Sequence, residues 1–237
     1  MTEGRRQDGP ALARRGRGAR AATQQKLEHL LERAAALIAD KGFEATSIRD
    51  VGREADKSLG GMYYYFRSKE DLLYQIQYGT FAQLLEAQER IDALPGSPEE
   101  RFRRLVIGHL AFFARHPNEM KVCTYELESL QGDAYHEVEG VRRRYYRMMA
   151  ERVRELMDGS AGDGTESRQS RHATLFIFGM LNWVFMWYDS TRDAPLDELG
   201  EEMVALVLNG LRHGLAPAMS RPTLRSTGTK RGKDAGQ

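Results

Sequence analysis

Apolar residues recur at every third or fourth position through almost the whole chain between Thr23 and Leu215, and this spacing is the constraint from which the fold follows. Leu27, Leu30, Leu31, Ala34, Leu37 and Ile38 share one face of a first helix, and Gly42 stands where a C-terminal cap belongs. Leu72 to Ile91 reads as one long helix, stopped by Pro95-Gly96-Ser97-Pro98. Glu99 to Arg115 is the next, with Phe102, Leu105, Val106, Leu110 and Phe113 on its apolar face. Pro117 opens a further helix through Leu130, because its missing N–H costs nothing at a helix start. Tyr135 to Met157 is charged and amphipathic, and Gly159 to Gly164 is a surface connection. Ser167 to Asp189 is apolar around much of its circumference, and Leu196 to Leu215 closes the pattern. Strand-type alternation and internal repeats are absent. The fold class is all-α.

A net charge of +1 over 237 residues conceals a strong asymmetry. Arg5, Arg6, Arg14, Arg15, Arg17 and Arg20 crowd a segment from Met1 to Ala22 that lacks periodicity and is expected to be a disordered basic arm. Ser220 to Gln237 is expected to be a similar basic tail. The single cysteine, Cys123, excludes an internal disulfide framework and a thiolate zinc cluster, and reads as a small buried apolar residue. No apolar core follows Met1 as in a signal peptide. Leu175 to Tyr188 falls short of the roughly 18 residues of a membrane span. A cytoplasmic chain with no membrane partner is the expectation.

Between Thr46 and Lys69 the local signals become dense. Ser47 followed by Asp50 forms an N-cap and capping-box pattern for a helix running through Ala55. Asp56-Lys57-Ser58 interrupts it, Ser58 to Phe66 starts a second short helix, and Ser68-Lys69-Glu70-Asp71 supplies another capping box for the long helix that follows. Two short helices joined by a tight turn, behind a helix that buries them, form a helix-turn-helix over residues 47–66. In such a unit the start of the second helix enters the major groove. Gly60 and Gly61 let its backbone approach DNA. Tyr63, Tyr64 and Tyr65 are consecutive, so at about 100° per residue they cannot share a face. Tyr64 and Tyr65 are expected to meet phosphate and a thymine methyl, with Tyr63 turned inward beside Phe66. Thr46, by its hydroxyl, and Lys69, by its charge, are expected to clamp phosphates. Ser47, Lys57, Ser58 and Leu59 complete the DNA-facing set.

The ordered set Gly42-Phe43-Glu44-Ala45-Thr46-Ser47-Ile48-Arg49-Asp50-Val51, then Ala55, Ser58, Gly60, Tyr63, Phe66, Ser68 and Lys69, resembles the tetracycline-repressor (TetR) family of bacterial regulators. The resemblance is specific over about Gln24 to Leu84. It implies an N-terminal DNA-binding domain (23–71), a ligand-binding and dimerisation domain (72–219) and dimerisation through the last two helices. Asp56 and Lys57 stand where the family usually has Gly and Val, and Gly52 replaces a common Ala.

In the second half, Leu175 to Tyr188 is too apolar for a solvated helix. Its Gly179, with Val204, Leu208 and Leu211 of the last helix, is expected to build a homodimer seam, and two linked heads imply a near-palindromic double-stranded operator. The run Gly179 to Tyr188 followed by Pro195-Leu196 resembles the branch of the family that controls fatty-acid, steroid and aromatic-acid degradation, whose members often sense acyl-CoA thioesters. That resemblance implies an apolar effector tunnel, for which Phe112, Phe113, Met120, Tyr125 and Trp183 are candidates. Arg142, Arg143, Arg144 and Arg147 are candidates for coenzyme A phosphates, and a solvated helix face paired with Glu137, Glu139 and Glu151 is the alternative. Six histidines show no metal-ligand spacing, no catalytic set can be assembled, and no cofactor is implied. The competing functions are an all-α small-molecule-binding or enzymatic domain with the N-terminal unit as scaffold, and a ligand-independent DNA-binding factor.

Overall fold

A computed structural model describes residues 9–158 and 166–212. Among these, the chain forms only helices: α1 (Gly9–Lys41), α2 (Ile48–Glu54), α3 (Leu59–Tyr63), α4 (Lys69–Asp92), α5 (Pro98–Arg115), α6 (Pro117–Tyr125), α7 (Gly132–Asp158), α8 (Arg168–Trp187) and α9 (Leu196–Arg212), with one 3-10 turn at Leu127–Ser129. The all-α reading of the sequence is correct. The breaks fall where the punctuation predicts them. Ser97 caps α5 with Glu100 in a reciprocal capping box, and Pro98 and Pro117 occupy first helical positions. Residues 1–8, the 159–164 connection and the 220–237 tail lie outside the described residues.

The expected disordered arm is not observed as such from Gly9 onward, where α1 already begins. Ala and Arg are strong helix formers, and extending a helix whose later turns are anchored avoids the nucleation cost, which offsets the glycines at 16 and 18. α4 begins at Lys69, so the 71/72 boundary falls in its first turn and one continuous helix joins the two halves.

Packing reinforces that union. One core contains Leu30, Ala34 and Ile38 of α1, Val51 of α2, Met62 of α3 and Leu72, Leu73 and Ile76 of α4. It runs on without a break to Phe113, Met120, Val122, Val138 and Tyr145 in α5, α6 and α7. A second core joins Phe102, Leu105 and Leu110 of α5 to Met149, Val153, Ile177, Leu181 and Val204 in α7, α8 and α9.

The α2–α3 turn is tight. Asp56 adopts a positive φ of 51°, in the left-handed region, and the Lys57 amide donates to the Gly52 carbonyl at 2.7 Å. Asp tolerates this region better than residues with bulkier Cβ substituents. Asp56→Val is therefore expected to cost about 1–2 kcal/mol of stability, whereas Asp56→Gly is neutral or stabilising. Urea denaturation midpoints of the two variants check this, and equal midpoints would refute it.

Candidate nucleic-acid interface and effector cavity

The head is built from three capped helix starts. Ser47 accepts from the Asp50 amide at 3.2 Å while Asp50 accepts from the Ser47 amide at 3.1 Å, closing the box on α2. The hydroxyl and amide of Ser47 together hold the Asp50 carboxyl below its usual pKa. Ser58 caps α3 by accepting from Gly61 at 3.1 Å. Ser68 caps α4 by accepting from Asp71 at 3.1 Å, but the Asp71 carboxylate reaches one residue further back and accepts from the Arg67 amide at 2.7 Å.

Residue 62 sets the orientation of the tyrosines. Met62 and Phe66 are both fully buried, and an i, i+4 pair on the inner face carries Tyr65 (i+3) with it. Tyr65 packs against the core, while Tyr63 is 54% exposed and Tyr64 76% exposed. Tyr64 is thus placed outward as expected. Tyr63 and Tyr65 exchange the positions expected for them, because Met62 rather than Tyr63 claims the inward side. Ser47, Lys57, Ser58, Leu59 and Gly60 are exposed around the same head, and Gly61 is half-buried.

Thr46 is not available as a phosphate clamp through its hydroxyl. It is 3% exposed and its Oγ1 donates to the Gly42 carbonyl at 2.8 Å, so its one proton is spent on the α1–α2 turn. Lys69 remains at the rim. Its Nζ donates to the Glu44 carbonyl at 3.3 Å and lies 4.1 Å from the centre of the Phe43 ring, which fixes the cation beside the turn.

The second half encloses a cavity of about 400 Å³ walled by α4, α5, α6, α7 and α8. Phe81, Leu84, Met120, Cys123, Leu175 and Phe178 form its apolar lining, and His109, Thr124, Tyr145, Tyr146, Asn182, Glu139, Arg142 and Arg143 are the polar residues that line it. Of the five expected tunnel residues only Met120 lines it. Phe112 and Phe113 are buried behind the wall, with Phe113 against the His109 ring. Tyr125 is exposed and hydrogen-bonded to Met186. Trp183 faces outward on α8. Helical spacing locates the apolar residues but not which neighbour each face meets.

The arginines divide similarly. Arg142 and Arg143 line the cavity, Arg143 paired with Glu139 at 2.7 Å and Arg142 stacked over Phe81 at 5.3 Å. Burial lowers the Arg142 pKa. Arg144 instead pairs with Glu89 at 2.9 Å, and Arg147 donates to the Arg143 carbonyl. These two do not line the cavity.

The expected dimer seam also needs correction. Val204 is buried, and Leu208 and Leu211 pack inward on the second core, because positions 204, 208 and 211 share the face of α9 that lies on α5 and α7. Gly179 is exposed as expected, with nothing within 4 Å of an added Cβ. The outward apolar surface is Phe176, Trp183 and Trp187 on α8 and Leu206 on α9.

One residue that sequence reasoning missed connects the cavity wall to the head. Glu126, at the C-terminal end of α6, accepts from the Phe43 amide at 3.0 Å through Oε1 and from the Ser129 hydroxyl at 2.9 Å through Oε2. Its carbonyl accepts from Gln77 Nε2 of α4 at 2.8 Å. No local motif marks its link to the head, since Phe43 and Gln77 lie 83 and 49 residues away.

An outward-facing pair of short capped helices on a helical bundle is the layout of a helix-turn-helix regulator, and the bundle here also carries a cavity. Residues 30–76 match the family profile described as bacterial regulatory proteins of the tetR family, and residues 95–211 match the tetracyclin repressor-like C-terminal domain. The chain belongs to the TetR family. It is 24% identical over 185 residues to the HTH-type transcriptional repressor KstR2 of Mycolicibacterium smegmatis, covering 78% of this chain and 89% of that protein. The fatty acid metabolism regulator protein of Bacillus subtilis is 20% identical, with 79% of this chain and 96% of that one covered. The fold is shared with AibR, solved in complex with isovaleryl coenzyme A and operator DNA, at a TM-score of 0.67 and 20% identity over 76% of this chain and 97% of AibR.

The two roles of the tyrosine run are separable by stability. Phe66→Ala is expected to lose about 3–5 kcal/mol, whereas Tyr63→Ala and Tyr64→Ala change stability by less than about 0.5 kcal/mol. Thermal melts test this. A large loss in Tyr64→Ala would overturn the outward placement.

Proposed function

We propose that this chain is a homodimeric repressor that reads a near-palindromic operator with α3 and is released by an acyl-type effector, in particular an acyl-CoA thioester, bound in the α4–α8 cavity. The observation that carries the reading is the single core linking that cavity to an outward-facing head. The repressor role is supported by KstR2, and the effector class by AibR, whose complex holds both isovaleryl coenzyme A and operator DNA. Arg142 and Arg143 are the basic residues in position for a coenzyme A phosphate. The chain acts as a regulator and not as an enzyme, in the cytoplasm where its operator lies. Among the described residues no helix is long and apolar enough to cross a membrane.

Base and phosphate contacts come from Ser47, Lys57, Ser58, Leu59, Gly60, Gly61, Tyr63 and Tyr64, with Lys69 as a phosphate clamp. Homodimerisation covers Phe176, Gly179, Trp183, Trp187 and Leu206. Phe176, Gly179, Trp183 and Trp187 line one shallow apolar depression and Leu206 is exposed on α9; exposed apolar surface of this kind is disfavoured on a monomer, and a two-fold axis would make it self-complementary. Two heads are then fixed about one helical turn of DNA apart, roughly 34 Å.

Release requires an effector that binds the two states of the dimer with different affinity. Met120, Cys123 and Thr124 of α6 line the cavity, and the same helix ends in Glu126, which holds the Phe43 amide and Gln77. A ligand that shifts α6 therefore pulls on the α1–α2 turn, next to the Lys69 anchor.

Two outcomes follow. Tyr64→Ala is expected to weaken operator binding by about 1–3 kcal/mol, and Lys69→Ala to lower the salt slope of binding by about one per protomer, with both proteins folded. Equal affinity to the parent in filter binding would exclude α3 as the reader. In gel shifts with isovaleryl-, octanoyl- and benzoyl-CoA, at least one releases the parent from operator. Glu126→Ala still binds that ligand in calorimetry but requires far more of it for release. Unaltered release would remove Glu126 from the pathway.

A further inference from the structure

The cavity wall contains a buried hydrogen-bonding pair whose valences do not close within the protein. His109 of α5 is 1% exposed, and its Nδ1 lies 2.7 Å from the Tyr145 hydroxyl of α7. Its other nitrogen, Nε2, is buried without a hydrogen-bond partner among the described residues. Both residues line the cavity. The imidazole packs against the Phe113 ring at 4.6 Å and the Tyr145 ring at 5.8 Å.

The protons can be counted. Burial keeps the imidazole neutral, with its pKa pushed down to about 3, and raises that of the Tyr145 phenol. The pair therefore carries two polar hydrogens, one N–H and one O–H. One of them closes the Nδ1–hydroxyl bond. If the phenol donates it, Nε2 keeps the other hydrogen; if the imidazole donates it, the phenol keeps the other. Either tautomer leaves one donor over. A buried donor without an acceptor is unfavourable, and both residues of the pair line a cavity whose apolar wall is Phe81, Leu84, Met120, Cys123, Leu175 and Phe178 and whose other polar residues are Thr124, Glu139, Arg142, Arg143, Tyr146 and Asn182. The surplus donor is matched by an acceptor such as a carbonyl oxygen. The charged residues lining the cavity are Glu139, Arg142 and Arg143.

We propose that His109 and Tyr145 form the polar anchor of the effector cavity and donate one hydrogen bond to the carbonyl oxygen of the bound acyl group. The proposal rests on the acyl-effector reading above and adds to it the atom that is recognised. It makes the two residues specificity-determining: a ligand of the same length and shape lacking the carbonyl leaves the donor buried and unmatched.

The test compares thioesters with thioethers in which a methylene replaces the carbonyl. Isovaleryl-, octanoyl- and benzoyl-CoA are titrated calorimetrically into the full chain beside S-isopentyl-, S-octyl- and S-benzyl-CoA. The parent is expected to bind its preferred thioester about tenfold more tightly than the matched thioether. Tyr145→Phe, which removes a single oxygen, and His109→Phe are each expected to shrink that ratio towards one, with operator affinity unchanged as the control for folding. If His109→Phe fails that control, Tyr145→Phe alone decides. A parent ratio near one, or a ratio that persists in Tyr145→Phe, overturns the anchor while leaving the effector reading standing. Failure of every thioester and thioether to bind the parent overturns the acyl reading, and the anchor with it.

Discussion

Burial of Met62 and Phe66 fixes more of this molecule than any other contact. The two residues lie four apart on the inner side of the chain around α3, in the same core as Leu30 and Ile38 of α1 and Leu72 and Leu73 of α4. A helix of five residues has too few internal hydrogen bonds to be stable alone, so its orientation is set by what it buries. Once that pair is inside, Tyr63 and Tyr64 have no inward position left, and the exposed surface of the head is determined. The same core reaches Met120 and Tyr145, both of which line the cavity, without an intervening layer of solvent or loop. Packed interiors transmit displacement because they have little free volume to absorb it. The head and the cavity are therefore two ends of one packed body, and α4 runs unbroken between them.

How much of this was legible in the sequence depends on the range of the interaction involved. Serines 47, 58 and 68 act on amides three residues away, so the helix starts of the head could be read locally, and the structure shows all three caps. The tyrosine register is not legible from the three aromatic residues themselves, because Met62, four residues before Phe66, takes the inward side. Thr46 was misread for a different reason. A hydroxyl beside a basic rim suits a phosphate equally well, and only the Gly42 carbonyl 2.8 Å away shows that its proton is taken. In the second half the failures are systematic. Phe112, Trp183, Val204 and Arg144 sit on helices whose apolar or basic character was correctly recognised, but the partner of each face is chosen by tertiary packing. Glu126 lay beyond any local reading, because its meaning comes entirely from residues 43 and 77.

Polar groups inside the two cores also show where the chain departs from pure packing. Thr80 and Thr174 return their hydroxyls to carbonyls one turn back on their own helices, which satisfies them at little cost. Gln77 donates its Nε2 to the Glu126 carbonyl, while its Oε1, the amide of Gln88 and the Ser170 hydroxyl are buried without a partner among the described residues. His109 Nε2 is unpartnered as well, and unlike those three residues His109 lines the cavity. That position is what sets it apart, since an acceptor entering the cavity gains a hydrogen bond that the protein does not make.

The departures from the family pattern in the turn are explained together rather than separately. Asp56 occupies a left-handed position that the family usually gives to Gly, and the Lys57 that follows folds its amide back onto the Gly52 carbonyl at 2.7 Å. That fold brings the Lys57 carbonyl so close to α2 that a Cβ on residue 52 would meet it at 3.0 Å, and would meet the Met62 side chain at the same distance. An Ala at this position would need the Lys57 carbonyl or the Met62 side chain to give by a few tenths of an ångström. Gly52 therefore sits where the Asp56-Lys57 turn and the buried Met62 side chain both approach α2. Because Met62 sets which tyrosines face outward, this one close-packed position couples the shape of the turn to the exposed surface of the head.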